Sequence, residues 1–135
     1  METVALLATA LLLGGMVYFA AGLAPVVFAH LPGSVSGPFI RKVFPVYYLY
    51  VLATSAVAGL ALLFVRWPDA AAMLVVAAVT VWLRQGLMRQ INRWSDAAQA
   101  GDAEARVRFN QGHRGSVIVN VVQMVVAVVV LARFV

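Results

Sequence analysis

The chain has no cysteine, which excludes disulfides, thiolate metal sites and a cysteine nucleophile. Acidic residues are scarce as well. Asp and Glu number five in 135 residues, and these are Glu2, Asp69, Asp96, Asp102 and Glu104. None lies within a long apolar run, so the hydrophobic part holds no carboxylate pair for acid–base work or for bridging metals. Internal repeats and low-complexity tracts are lacking too. What is abundant is apolar surface: 64% hydrophobic residues, 11% charged and a mean hydropathy of +0.94. A soluble domain of this length cannot hide that much, so the chain reads as one integral membrane domain.

The apolar runs predict an all-α protein, a bundle of four transmembrane helices spanning approximately 4–29, 43–65, 70–91 and 113–133. In the first, Gly15, Tyr18, Gly22, Pro25 and Ala29 share a face and predict a packing seam of small residues, with a kink at Pro25. Val27-Phe28-Ala29 has the small-residue look of a cleavage site. The segment lacks a basic start and is too long for a signal peptide, so it reads as a retained helix. Ser36 is the expected cap of the second helix and Asp69 of the third. Tyr47, Tyr48 and Tyr50 are expected in an interfacial belt, although Tyr47, Tyr50 and Thr54 also share a face. Gly101 reads as a helix stop and Asp102 as the next cap, extending helices 3 and 4 beyond the membrane as a helical hairpin.

Charge sets the expected topology. Arg41, Lys42, Arg84, Arg89, Arg93, Arg106, Arg108 and Arg114 fall on one side, Arg66 and Arg133 on the other. By the positive-inside rule both basic loops and the hairpin are cytoplasmic, both termini are outside, and the membrane is the cell (inner) membrane. The net charge of +5 is then a topology signal, and no nucleic-acid partner is needed to explain it.

The polar residues of the last span carry the functional reading. His113, Ser116, Asn120 and Gln123 are spaced i, i+3, i+7, i+10 and form one ribbon on an otherwise apolar helix. Hydrocarbon cannot satisfy such a ribbon, so it must face protein or trapped water. The third run, Ala70 to Leu83, spans only about 21 Å of helix against a core near 30 Å. This draws Arg84 and Gln85 toward the membrane interior, to the depth of Asn120, about 9 Å in. Tyr47 lies at a comparable level. Together, Arg84, Gln85, His113, Ser116, Asn120, Gln123 and Tyr47 outline an expected cleft open to the cytoplasm. The alternative is that Ser116, Asn120 and Gln123 are only interhelical hydrogen-bond glue. No cofactor is predicted. His30 and His113 are the sole candidate ligands for haem or a metal, and neither has a His or Glu at i+3 or i+4. Ser116 lies i+3 from His113 without an orienting acid, so nucleophilic catalysis is not indicated.

Two stretches, taken together, resemble a known family. One runs from Gly22-Leu23-Ala24-Pro25-Val26-Val27-Phe28 through Leu31-Pro32 to Lys42-Val43-Phe44-Pro45-Val46-Tyr47-Tyr48. The other is Phe109 with His113-x-x-Ser116-x-x-x-Asn120. In order and spacing they resemble the domain of unknown function 4149 family, the group that includes transmembrane protein 205. The resemblance implies a small four-span membrane protein and no settled biochemical activity. The sequence departs from the family where an Asn and a Pro-Arg pair are common near the end of helix 3, reading Arg84-Gln85-Gly86-Leu87-Met88-Arg89-Gln90 instead. The first functional expectation is a non-catalytic accessory or assembly protein in the lipid bilayer, in a homo-oligomer or with other membrane subunits. The alternative is a ligand-binding or transport-related protein whose cleft takes a quinone, haem, metal or lipid headgroup.

Overall fold

Four long helices carry the chain: α1 Glu2–His30, α2 Gly33–Leu62, α3 Trp67–Gln99 and α4 Ala103–Ala132. A computed structural model describes residues 1–135, and it contains no strand. All four helices are long and apolar enough to cross a membrane. The connections are two to four residues long (31–32, 63–66 and 100–102), which makes successive helices antiparallel neighbours. The packing runs α1 to α2, α2 to α3, α3 to α4 and back to α1, leaving α2 and α4 on a diagonal. A helix of 30 residues is about 45 Å long against a hydrocarbon core near 30 Å. The first turns of α2, the last turns of α3 and the first turns of α4 therefore stand clear of the core at the basic end.

The joint between α3 and α4 is as the sequence predicts. Gly101 takes φ +105°, a conformation that only glycine adopts without strain. Asp102 accepts a hydrogen bond from the Ala105 amide at 3.1 Å. Two other expected caps fail. α2 begins at Gly33, capped by no side chain, and Ser36 is buried within its first turn. Asp69 likewise lies inside the first turn of α3, whose N-cap is Arg66. Its carboxylate is drawn instead to two arginines, with Arg66 Nε at 2.8 Å and Arg133 Nη1 at 3.1 Å. Arg66 also donates to the Arg133 carbonyl and lies 4.4 Å over the Phe134 ring. This cluster fastens the α2–α3 connection to the end of α4.

The core sits on an unexpected face of α1. Ala5, Ala8, Leu12, Met16 and Phe19 are buried, while Tyr18, Pro25 and Ala29 are exposed. The small-residue seam is thus not the packing face. Only Gly15 of that set makes a close approach, lying against the Tyr50 ring, whose hydroxyl donates to the Leu11 carbonyl. The interfacial belt is corrected too. Tyr47 and Tyr48 are 7% and 5% exposed and belong to the core. The outward surface of α4 is an unbroken apolar band, including Val117, Val121 and Val125, suited to acyl chains.

Two helices change pitch. In α1 the segment Tyr18–Leu23 is a π-helix, and in α3 so is Leu83–Leu87. The Ala24 amide reaches back five residues to Phe19, and the Met88 amide to Leu83. Pro25 follows the first π segment and lacks an N–H, which breaks the regular ladder there. Each such bulge holds about one extra residue, so the helix beyond it is turned by roughly 100°.

Candidate functional site: a cleft between α1 and α4

The two π segments stand beside a cavity of about 740 Å³ at the basic end of the bundle. α1 runs along α4 through Glu2–Val17, and beyond Tyr18 the two helices part. Phe19, Ala20, Ala24 and Phe28 form one bank of the gap, and Val117 and Val121 form the other. Phe28, Val117 and Val121 are exposed, so the gap opens sideways, toward lipid. The α3 residues that wall the mouth are Met88, Ile91, Asn92, Ser95 and Gln99. Their spacing is one helical face, and all of them lie beyond the second π segment, which sets the direction of that face.

The cleft is polar at the mouth and mainly aromatic in depth, where Tyr47, Tyr48 and Asn120 add a few polar groups. Arg41, Asn92, Ser95, Gln99 and His113 line its outer part. Arg41 is spent on Asp96, with Nη1 to Oδ1 at 2.6 Å and Nη2 to Oδ2 at 3.0 Å. This pair joins the start of α2 to the exposed end of α3. Arg41 holds the Asp96 carboxyl below the usual carboxylate range, chiefly through those hydrogen bonds. Deeper in, Phe19 stacks on Tyr47 with centroids 4.1 Å apart, and Phe44 packs against Phe19, Tyr47 and Tyr48. Tyr47 crosses the bundle diagonal and donates to Asn120 Oδ1 at 2.6 Å.

The expected site residues divide into two groups. Tyr47, His113, Ser116 and Asn120 line the cleft. Ser116 donates to the His113 carbonyl at 2.7 Å, and the His113 ring lies parallel to Phe109, 6.1 Å away. Arg84, Gln85 and Gln123 are not part of its wall. Arg84 turns into the bundle and donates from Nε to the Pro45 carbonyl at 3.2 Å, filling the space between α2 and α3. Gln123 is 4% exposed and donates to the Val76 carbonyl at 3.2 Å and to Thr80 Oγ1 at 3.0 Å. It is the interhelical glue of the ribbon. His30 is exposed, with Nδ1 3.0 Å from the carbonyl of Val26 in its own helix. No three His, Asp or Glu side chains converge as a metal-binding group.

Sequence reasoning missed Arg41 and the α3 residues Asn92, Ser95 and Gln99. The last three are spaced i, i+3, i+7, the same kind of signal that marks the α4 ribbon, and they could have been found by it.

A family model described as domain of unknown function (DUF4149) matches residues 7–100. The chain belongs to that family. The match takes in most of α1 and all of α2 and α3, hence three of the cleft's four walls, whereas the α4 ribbon lies beyond it. No curated protein and no solved structure matches the chain, so the likeness to transmembrane protein 205 remains a resemblance. Membership in the DUF4149 family agrees with the four-helix membrane architecture and assigns no chemistry to the cleft.

Proposed function

We propose that this DUF4149 protein binds an amphiphilic small molecule taken up sideways from the membrane, without transforming it. The supporting observation is the cleft itself, a volume of about 740 Å³ with hydrogen-bonding groups at the mouth, aromatic side chains in depth and a gap toward lipid. Pockets of this size and character hold small ligands. The positive-inside rule places the mouth on the cytoplasmic side. An accessory role in a larger assembly ranks second. Two charged pairs at the basic end close within the chain, Arg41 on Asp96 and Arg108 on Glu104, each at 2.6 Å, which leaves fewer free charges there to dock a partner.

The test is to narrow the opening. Ala20→Trp and Ala24→Trp each place an indole on the α1 bank. Purified in mild detergent and weighed by native mass spectrometry, the unaltered protein should carry a bound lipid-soluble molecule and these variants should lose it while keeping their melting temperature. Equal retention by all three proteins would sink the reading.

A further inference from the structure

The unpaired donors in the cleft select among its possible occupants. Tyr48 is 95% buried (5% exposed) and lines the cavity, yet its hydroxyl makes no hydrogen bond to any protein group. Asn120 accepts from Tyr47 through Oδ1, which leaves both Nδ2 protons without a protein acceptor. Both groups line the cavity, Asn120 only half-buried, and a donor without a partner is costly where hydrocarbon replaces water. The cleft therefore presents donors at depth that await acceptor oxygens.

Charge narrows the choice. Arg41 is the one permanently charged group in the wall, and Asp96 neutralises it with two hydrogen bonds. No free cation is left in the wall to hold a phosphate. Depth narrows it further. With α2 ending at Leu62, about 20 residues of helix cross the hydrocarbon. That puts the inner boundary near Phe44 and Tyr48 some 6 Å below it, deeper than the polar heads of the bilayer. The occupant must carry carbonyl acceptors within the hydrocarbon, lack charge, tolerate aromatic neighbours and have an apolar tail that leaves between α1 and α4.

We infer that the cleft binds the head of an isoprenoid quinone, with Tyr48 Oη and Asn120 Nδ2 donating to its carbonyl oxygens and the tail passing between Ala20 and Val121. This rests on the proposed uptake of an amphiphile by the same cleft. It concerns binding alone, and no electron transfer is invoked.

The probe is decylubiquinone, titrated into the protein in nanodiscs and followed by quenching of Trp94 fluorescence, with Trp67 and Trp82 replaced by Phe. Saturable quenching is expected. Tyr48→Phe keeps the ring and should weaken binding roughly fivefold, the worth of one hydrogen bond. Tyr47→Phe removes no donor from the ligand and should change affinity less. Undiminished affinity in Tyr48→Phe would overturn the assignment of the donor. A diacyl phospholipid retained in the cleft and not displaced by decylubiquinone would overturn the quinone while leaving amphiphile uptake intact. No quenching, with lipid retention unaffected by Ala20→Trp, would overturn both.

Discussion

Tyr47 donates its hydroxyl proton to Oδ1 of Asn120 at 2.6 Å and so bridges the two helices on the bundle diagonal, α2 and α4. The bond fixes the Asn120 amide so that its two N–H protons remain available to the cleft. It also explains why a polar residue is tolerated midway along a valine-rich helix.

A double-mutant cycle with Tyr47→Phe and Asn120→Leu should give a coupling energy of about 0.6–1.7 kcal/mol, the range for interhelical hydrogen bonds in membranes. The measurement is reversible unfolding in mixed detergent micelles. Gln123→Leu serves as a contrast. It removes the bonds to Val76 and Thr80, so it should lower stability by about 1 kcal/mol and leave ligand retention unchanged. Lost retention in Gln123→Leu would mean that the two ends of the ribbon do not divide their roles in this way.

The division was only half legible in the sequence. His113, Ser116, Asn120 and Gln123 share one face by spacing, and spacing cannot say that Asn120 turns to α2 while Gln123 turns to α3. Arg84 was expected in the cleft, but it lies in the π segment Leu83–Leu87, which changes the helix phase, and no residue type marks such a bulge. The packing face of α1 was unreadable for another reason. All sides of that helix are apolar, so no contrast distinguishes Ala5-Ala8-Leu12-Met16 from the glycine face. Asp69 misled because one of its two arginine partners, Arg133, is 64 residues away in the chain. The four long apolar helices and the α3–α4 joint were legible, since each rests on local chemistry, and so was the inward turn of Ser116, Asn120 and Gln123, whereas His113 is exposed.

Neighbouring glycines of α1 should respond in opposite ways to alanine. A Cβ at Gly15 would lie 2.2 Å from Tyr50 Cε1, whereas one at Gly14 meets nothing within 4 Å. The Tyr50 ring is held by its bond to Leu11 and cannot swing aside freely. Gly15→Ala should therefore cost about 1–3 kcal/mol through overpacking. Gly14→Ala should be neutral or gain up to about 1 kcal/mol from helix propensity. Melting temperatures in one detergent decide the matter, and equal values would argue against the contact.

The Arg41–Asp96 pair gives the cleft mouth a pH dependence. Because Arg41 lowers the Asp96 pKa in the folded state, the stabilisation is complete above the unfolded carboxylate value. It fades as pH falls through the lowered folded one. The window therefore lies below about pH 4. The absence of native cysteine allows clean spin labelling at Val35→Cys and Ala100→Cys. Their distance distribution should broaden on acidification and in high salt. In an Asp96→Asn background it should be broad at every pH, and a width independent of pH in the unaltered pair would refute the latch.

At the opposite end, Asp69 is the anion on which two cations depend. It is 4% exposed, and its carboxylate stands 2.8 Å from Arg66 Nε and 3.1 Å from Arg133 Nη1. The Arg66 contact is too bent for a hydrogen bond, and Arg66 Nη2 is buried without a partner. Removing Asp69 would leave two guanidinium groups close together with no counter-charge, whereas removing Arg133 leaves Asp69 still paired with Arg66. Breaking a buried ion pair from one side costs about 3–5 kcal/mol. Asp69→Asn should approach the lower figure, and Arg133→Gln should cost clearly less, because its side chain is 52% exposed and its charge can be hydrated. Replacing Asp69 and Arg66 together, by Leu and Met, should recover most of the loss, since the remaining arginine then faces water. Unfolding in mixed micelles tests the order of the three. If Arg133→Gln proved as damaging as Asp69→Asn, the cluster would be an obligate triad rather than an acid with one principal partner.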